Sequence, residues 1–269
     1  MLVKPVVSVE QMVAFDEAAM ATTSHEELVY RAGYALAMGA RRLLGTLSGR
    51  RIAILAGAGS NGADGRVAAG VLARRGAKVT VLAPDCDAAD LVNAELVIDA
   101  AFGTGLSRDY HAPEVPAGAL VLACDLPSGL DGDTGAAHGR PLRADATVTM
   151  GALKSGLLVV DGPELAGRVD VADIGISVEG ASMGLLEDGD LRGIPPRSRS
   201  GHKWSSAVVA LAGSPGMEGA AALCAEGALH AGAGMVRVVT SGETSLLPVE
   251  VVAREVEPMQ LAEVVLAES

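Results

Sequence analysis

The sequence predicts an α/β protein: a Rossmann-like parallel sheet with helices on both faces, followed by an incomplete C-terminal α/β segment. Three observations carry that prediction. Apolar runs of five or six residues recur without alternation, the pattern of parallel strands covered on both faces. A glycine-rich turn from Gly57 to Gly65 joins one such run to an alanine-rich amphipathic stretch. The chain is 49% apolar but only 2% aromatic, which favours closely packed α/β layers over a sandwich built on aromatics.

The elements follow in order. Residues 8–21 have helical spacing, with Met12, Phe15 and Met20 near one face and Ser8 placed to cap it. Residues 26–44 form a second helix, with Leu28, Val29, Ala32, Leu36 and Leu43 as its apolar positions. Strands are expected at 51–56, 78–83, 96–100, 119–124, 146–150 and 168–171, with a helix from Val67 to Arg75 after the first. Between Leu82 and Leu96 only a turn or two of helix fits. From Ser177 to Ser200, Gly, Ser, Pro and Arg accumulate and end in IPPRSRSG. The expected organisation is therefore a first domain at 1–180, a linker at 181–200 and a partial second domain at 201–269. That last segment reads as a strand at 206–212, the turn GSPGMEG, a helix at 220–231 and a strand at 235–240. One βαβ unit buries little core, so it leans on something else or is incomplete.

Composition excludes several classes. The 269 residues suffice for one large domain or two smaller ones. The net charge is −12 and no Lys/Arg cluster forms a nucleic-acid footprint. Cys86, Cys124 and Cys224 are too few and too scattered for a disulfide framework or a zinc site, and read as small buried residues in a reducing compartment. The N-terminus lacks a signal-peptide layout, and no segment is apolar for the ~20 residues of a membrane helix. The expectation is a cytoplasmic protein without nucleic-acid or membrane partners.

Three polar loops follow the carboxyl ends of expected strands, the edge where open parallel sheets bind ligands. They are Gly57 to Gly65, Asp99 to Asp109, and Asp125 to Asp131. Gly57, Gly59 and Gly62 fit GxGxxG, which alone suggests a dinucleotide-dependent oxidoreductase with Asp85 as the ribose acid. That reading leaves Asn61, Asp99, Asp125 and Ser128 unused. Taken singly, each has an ordinary alternative: Asn61 as a turn residue, Asp99 as a turn cap, Asp125 and Asp131 as brackets of a tight turn, Ser128 as a cap.

The stretches AGAGSNGADGRVAAGVLARRG, LVIDAAFGTGLSRD, CDLPSGLDGDTG and TVTMGALKSGL…GRVDVADIGI, with the helical LVYRAG, resemble the NAD(P)H-hydrate epimerase (YjeF N-terminal domain) family from about Val9 to Ile176. The resemblance implies a Rossmann-like domain, commonly a homodimer, that interconverts the R and S forms of hydrated NADH and NADPH for a dehydratase to repair. It places Ser60, Asn61, Gly62, Ala63 and Asp64 at the substrate. It gives Gly103, Thr104, Gly105, Leu106, Ser107, Arg108 and Asp109 to the dinucleotide, with Arg108 as phosphate partner. Asn61, Asp99 and Ser128 would bind a potassium ion through hard oxygen ligands. Asp125 would contact the hydrated nicotinamide, as general acid when hydroxide leaves and as general base when water returns. Lys154 stands either as a substrate contact or as a solvated strand-end lysine. Ser60 and Ala63 depart from the family's NNGGD, and Ala63 puts a Cβ where positive φ or close ligand approach is expected.

The stretch GHKWSSAVVALAGSPGMEGAAALCAEGALHAGAGMVRVVT resembles the opening of the ADP/ATP-dependent NAD(P)H-hydrate dehydratase, a ribokinase-like domain. The rest of that domain is not in this sequence, so the resemblance implies no dehydratase activity from this chain alone. The alternatives to an epimerase are a fragment of a bifunctional repair enzyme, an NAD(P)-dependent oxidoreductase, and a non-catalytic Rossmann-like binding module.

Overall fold

The computed structural model describes residues 3–106, 108–193 and 201–257. It divides into two compact units, Met1–Leu191 and Arg192–Ser269. Unit 1 begins with β1 (Lys4–Val7), α1 (Val9–Met20), α2 (His25–Leu44), β2 (Arg51–Ala56), α3 (Ser60–Arg74), β3 (Lys78–Leu82) and α4 (Ala88–Leu91). It continues with β4 (Leu96–Ala100), β5 (Tyr110–His111), β6 (Leu120–Cys124), β7 (Gly139–Arg140), β8 (Ala146–Met150) and β9 (Leu153–Lys154). It ends with α5 (Gly162–Ala166), β10 (Arg168–Ala172) and β11 (Met183–Leu185).

Local chemistry sets the helix starts. The Ser8 hydroxyl accepts from the Gln11 amide at 3.1 Å, and the Ser24 hydroxyl accepts from Glu27 at 3.2 Å. Each satisfies one donor that the first turn leaves unpaired.

Six strands form one sheet in the order β10-β8-β6-β4-β2-β3, parallel throughout. The chain steps from β2 outward to β3, then returns across β2 to β4 and continues in one direction. The order therefore reverses between β2 and β4, and the crevice at the carboxyl ends of those strands is where such sheets bind ligands. Register aligns Leu55 with Asp99 and Asp99 with Ala123, so the three loops leave the sheet at nearly one level.

Alternate side chains of the buried strands build two cores. Ile52, Ile54, Ile98, Leu122 and Val148 pack with Leu36, Ala40, Ala68 and Leu72 of α2 and α3. Ala53, Leu55 and Val97 pack on the other side with Leu91 of α4, Tyr110 and Ala112. Helices thus cover both faces as expected, although one face has only the single turn that the short 82–96 connection allows.

Three differences from the sequence reading have physical causes. First, α3 starts at Ser60 rather than Val67, so Ser60 to Asp64 lie in its first turns. Gly57 before it and Gly62 within it serve close approach instead of turning: a Cβ on Gly57 would lie 1.9 Å from the Ala101 carbonyl oxygen, and one on Gly62 would lie 1.8 Å from that of Gly57. Second, Ala63 is helical and has no positive φ, so its Cβ costs the backbone nothing. Third, Met183–Leu185, which composition placed in the linker, pairs antiparallel with β1. Residues 194–200 of that linker lie outside the described residues.

Unit 2 contains β12 (Ala207–Leu211), α6 (Glu218–His230), β13 (Met235–Thr240) and β14 (Val252–Glu255) in a parallel sheet ordered β12-β13-β14. Ala221 and Ala225 of α6 pack on Ala210, Val236 and Val238. Val208, Val209 and Leu211 of β12 stay exposed.

Replacing Gly62 by Ala forces a backbone shift and is expected to cost about 3 kcal/mol or more, at the upper end of overpacking penalties. Gly59→Ala, where no atom lies within 4 Å of the added Cβ, is expected to cost under about 1 kcal/mol. Urea unfolding of the two variants measures the contrast.

Candidate active site

The site starts from a backbone feature. At the end of β6, Asp125 has φ of +66°, and the Leu126 amide donates to the Cys124 carbonyl at 2.8 Å. That is a three-residue γ-turn of the rarer left-handed kind, a conformation a non-glycine residue holds only where its surroundings demand it. The neighbouring strand β8 ends in the same way. Gly151 has φ of +72°, and the Ala152 amide donates to the Met150 carbonyl at 2.8 Å.

The two turns enclose an ion pair. Asp125 Oδ1 accepts from Thr149 Oγ1 at 3.0 Å, from the Met150 amide at 3.1 Å and from Lys154 Nζ. Lys154 also donates to Thr149 Oγ1 at 3.0 Å and to the Met150 carbonyl at 2.9 Å. Its three ammonium hydrogens are therefore all placed. Only 1% of the Lys154 side chain is exposed, against 14% of Asp125. The alternative of a solvated strand-end lysine is overturned. All three bonds to Asp125 fall on Oδ1, leaving Oδ2 for a ligand.

A cavity of about 360 Å³ opens beside this pair. Ser60, Asn61 and Asp64 of α3, Thr104, Asp125 and Lys154 line it, with Asp16 of α1 and His25 of α2. Met12, Leu28, Ala32, Ile174 and Ile176 supply apolar wall. Asp64 is only 6% exposed. Burial pushes its carboxyl up to about 8, and the nearby charges of Asp125 and Asp16 add to this. Burial also raises Asp16, an effect that Lys154 opposes.

Beneath the cavity lies an oxygen-rich network. Asn61 Nδ2 donates to the Cys124 carbonyl at 2.8 Å and to the Phe102 carbonyl at 3.2 Å. Ser128 Oγ lies 3.0 Å from that same Phe102 oxygen and donates to Asp99 Oδ1 at 2.6 Å. The Ser128 amide donates to Asp99 Oδ2 at 2.8 Å. Asn61 is thus a clip across three loops, and not a self-bonded turn residue. Asp99 is fully buried and has no cationic partner among the described residues, and burial raises its carboxyl despite the bonds from Ser128 and Ala101. A buried carboxylate facing only neutral donors, amid carbonyl and hydroxyl oxygens, suits a hard monovalent cation. Among the described residues no group of three or more His, Cys, Asp or Glu gathers for a metal ion.

The remaining expected residues sit elsewhere. Gly103 packs on Asn61, where an added Cβ would lie 2.6 Å from Oδ1. Gly62 forms the floor against Gly57. Ala63 is half-buried in α3 but, like Gly105, Leu106, Arg108 and Asp109, is not part of the cavity wall. Leu106 packs toward the core beside Tyr110. Arg108 lies over the Phe102 ring, 5.7 Å from its centroid. Ser107 lies outside the described residues. Sequence reasoning missed Asp16. Its signal was an acid four residues after buried Met12, and so on the inward stripe of α1.

A doubly wound sheet with a charged pocket at its switch point defines a small-ligand α/β protein. The model for the YjeF-related protein N-terminus matches residues 25–92 and 84–156. A NAD(P)H-hydrate epimerase of Levilactobacillus brevis is 36% identical over 157 residues, covering 47% of this chain and 73% of that protein. The bifunctional NAD(P)H-hydrate repair enzyme Nnr of Moorella thermoacetica is 37% identical over 245 residues, covering 73% of this chain and 46% of that protein. The crystal structure of yeast ynu0, YNL200c, shares the fold with a TM-score of 0.51 at 19% identity, covering 62% of this chain and 86% of that one. The chain belongs to the YjeF N-terminal family. It spans about half the length of the bifunctional relatives it matches.

Lys154→Met would leave Asp125 partly buried without its cation, and is expected to cost about 3 kcal/mol or more. Adding Asp125→Asn should recover part of that loss. Urea unfolding of both single variants and the double variant checks the coupling.

Proposed function

We propose that this protein interconverts the R and S epimers of hydrated NADH and NADPH as part of nicotinamide nucleotide repair. The observation that carries the reading is the Asp125–Lys154 pair at the switch-point cavity, with all three bonds to Asp125 on Oδ1 and Asp125 in the cavity lining. The epimerase named among the relatives supports the same reaction class. The cavity lies at the small end of the range for ligand pockets, so it suits one end of a dinucleotide rather than the whole.

The chemistry follows from the substrate. Its hydrated carbon carries a hydroxyl beside a ring nitrogen. Loss of that oxygen lets the nitrogen lone pair form a planar iminium, and water can return on either face. Asp125 serves the base half of this cycle, held in place at the cavity by Lys154, Thr149 and the Met150 amide. It takes a proton from the entering water. The apolar wall of Met12, Leu28, Ile174 and Ile176 limits other water at the reacting carbon.

Asn61, Asp99 and Ser128 would hold a potassium ion. When bound, the ion would neutralise Asp99 and tie the three loops together. A homodimer, a cytoplasmic site and coupling to a dehydratase belong to the same proposal. Val13, Met20, Tyr30 and Tyr34, exposed on α1 and α2, offer apolar surface for a second copy. Among the described residues no helix is long and apolar enough to cross a membrane.

The test mixes the full chain with both epimers and a separate S-specific dehydratase, with and without potassium. Consumption of the R form should accelerate, and more so with potassium. No acceleration contradicts the proposal. Asp125→Asn should lower the rate about 10²–10⁴-fold, the usual worth of a positioned acid–base group. Asp99→Ala should abolish the potassium response.

A further inference from the structure

Asp64 is a buried carboxyl with almost no polar company. It lines the cavity, is 6% exposed, and among the described residues its side chain has one hydrogen-bond partner, the Cys124 thiol at 3.9 Å. No lysine or arginine bonds to it, whereas Asp125 on the same cavity has Lys154 and two further donors. We propose that Asp64 is a second catalytic carboxyl, the proton donor to the departing hydroxyl, working opposite Asp125 as base. This rests on the epimerase reading above.

The need for such a donor is chemical. Hydroxide is a poor leaving group, and its departure as water requires a proton in hand at neutral pH. Asp125 is committed to its ion pair. The groups facing Asp64 are the Cys124 thiol of β6, Asp125 after β6 and Asp16 of α1, with Lys154 of β9 and His25 of α2 on the same cavity. Burial holds the thiol protonated too, so it can donate to Asp64 without competing for the proton. Burial and the two neighbouring carboxyls keep Asp64 protonated up to about pH 8. Asp64, held protonated by burial, is thus placed for acid work, and Asp125, bonded to Lys154 on the same cavity, for base work.

The step balances. The C–O bond breaks with its electron pair going to oxygen, the Asp64 proton joins that oxygen, and water leaves. The ring-nitrogen lone pair forms the C=N bond. Water then adds to the carbon, the C=N electrons return to nitrogen, and the proton lost by the water goes to Asp125. The net transfer of one proton from Asp64 to Asp125 is reversed through solvent, or by turnover in the other direction.

Asp64→Asn keeps the side-chain shape and removes the proton. Its kcat is expected to fall about 100-fold or more, with KM changed under about threefold. The alkaline fall of kcat near pH 8 in the wild type should be absent from the residual activity of the variant. An active wild type with unchanged kcat in Asp64→Asn, or a variant that keeps the alkaline limb, overturns this proposal alone. A wild type that does not epimerise at all overturns the epimerase reading and this proposal with it. A second readout needs no activity. Between about pH 4, the unfolded value, and about pH 8, the folded chain holds one more proton at Asp64 than the unfolded chain. Wild-type stability should therefore fall as pH rises across that window and level off above it. The variant should lack this component, so parallel stability profiles for the two proteins contradict a protonated Asp64.

Discussion

A lysine ammonium buried among strand ends can stay charged only beside a carboxylate, and the pairing of Lys154 with Asp125 is the constraint on which the site depends. The pair joins the left-handed turn at the end of β6 to the turn of the same hand at the end of β8. It also fixes β9, whose Lys154 pairs in register with Val7 of β1. Burying both charges is costly, and the cost is offset only because every ammonium hydrogen finds an oxygen. One oxygen of Asp125 is immobilised by three donors, and the residue lines the cavity. Rigidity and reactivity thus come from the same residue.

The second layer is the oxygen network below. Parallel register brings Asp99, Ala123 and Leu55 level, so the loops after β2, β4 and β6 meet without long excursions. Asn61 then stitches these loops through the Phe102 carbonyl, and Ser128 through the Phe102 amide, from which its hydroxyl accepts. The approach is close enough that Gly57 and Gly62 admit no Cβ. The glycine-rich stretch therefore works as packing surface that lets α3 begin at once, with Asn61 and Asp64 already on the first turns. The first turns of α3 thus deliver Asn61 and Asp64 to the cavity.

Much of this was legible in the sequence. Unbroken apolar runs marked most strands of the sheet, since two-sided burial leaves no room for alternation, while β3 and β10 at its edges carry polar residues and are exposed or half-buried. The three loops were visible because polar and glycine residues interrupt those runs at one end only. What failed to show depends on contacts across the fold. The positive φ of Asp125 arises from Thr149, Met150 and Lys154, residues about 25 positions away. Lys154 read equally as a ligand contact or a solvated lysine, because a sequence does not show that a strand end is buried. Asp16 was passed over because α1 precedes the sheet, and nothing local says it closes the pocket. Ala63 looked strained because a glycine-rich turn was expected where the structure has helix. Arg108 looked like a phosphate partner, while its guanidinium lies over Phe102.

We propose that this pocket removes and returns an oxygen at the hydrated carbon of a nicotinamide ring. The most direct measurement runs the epimer pair with the full chain in ¹⁸O-labelled water and follows both epimers by chromatography and mass. The account predicts that label enters the hydroxyl oxygen at the rate at which the epimers interconvert. Interconversion with the original oxygen retained would contradict it, as would the absence of any interconversion.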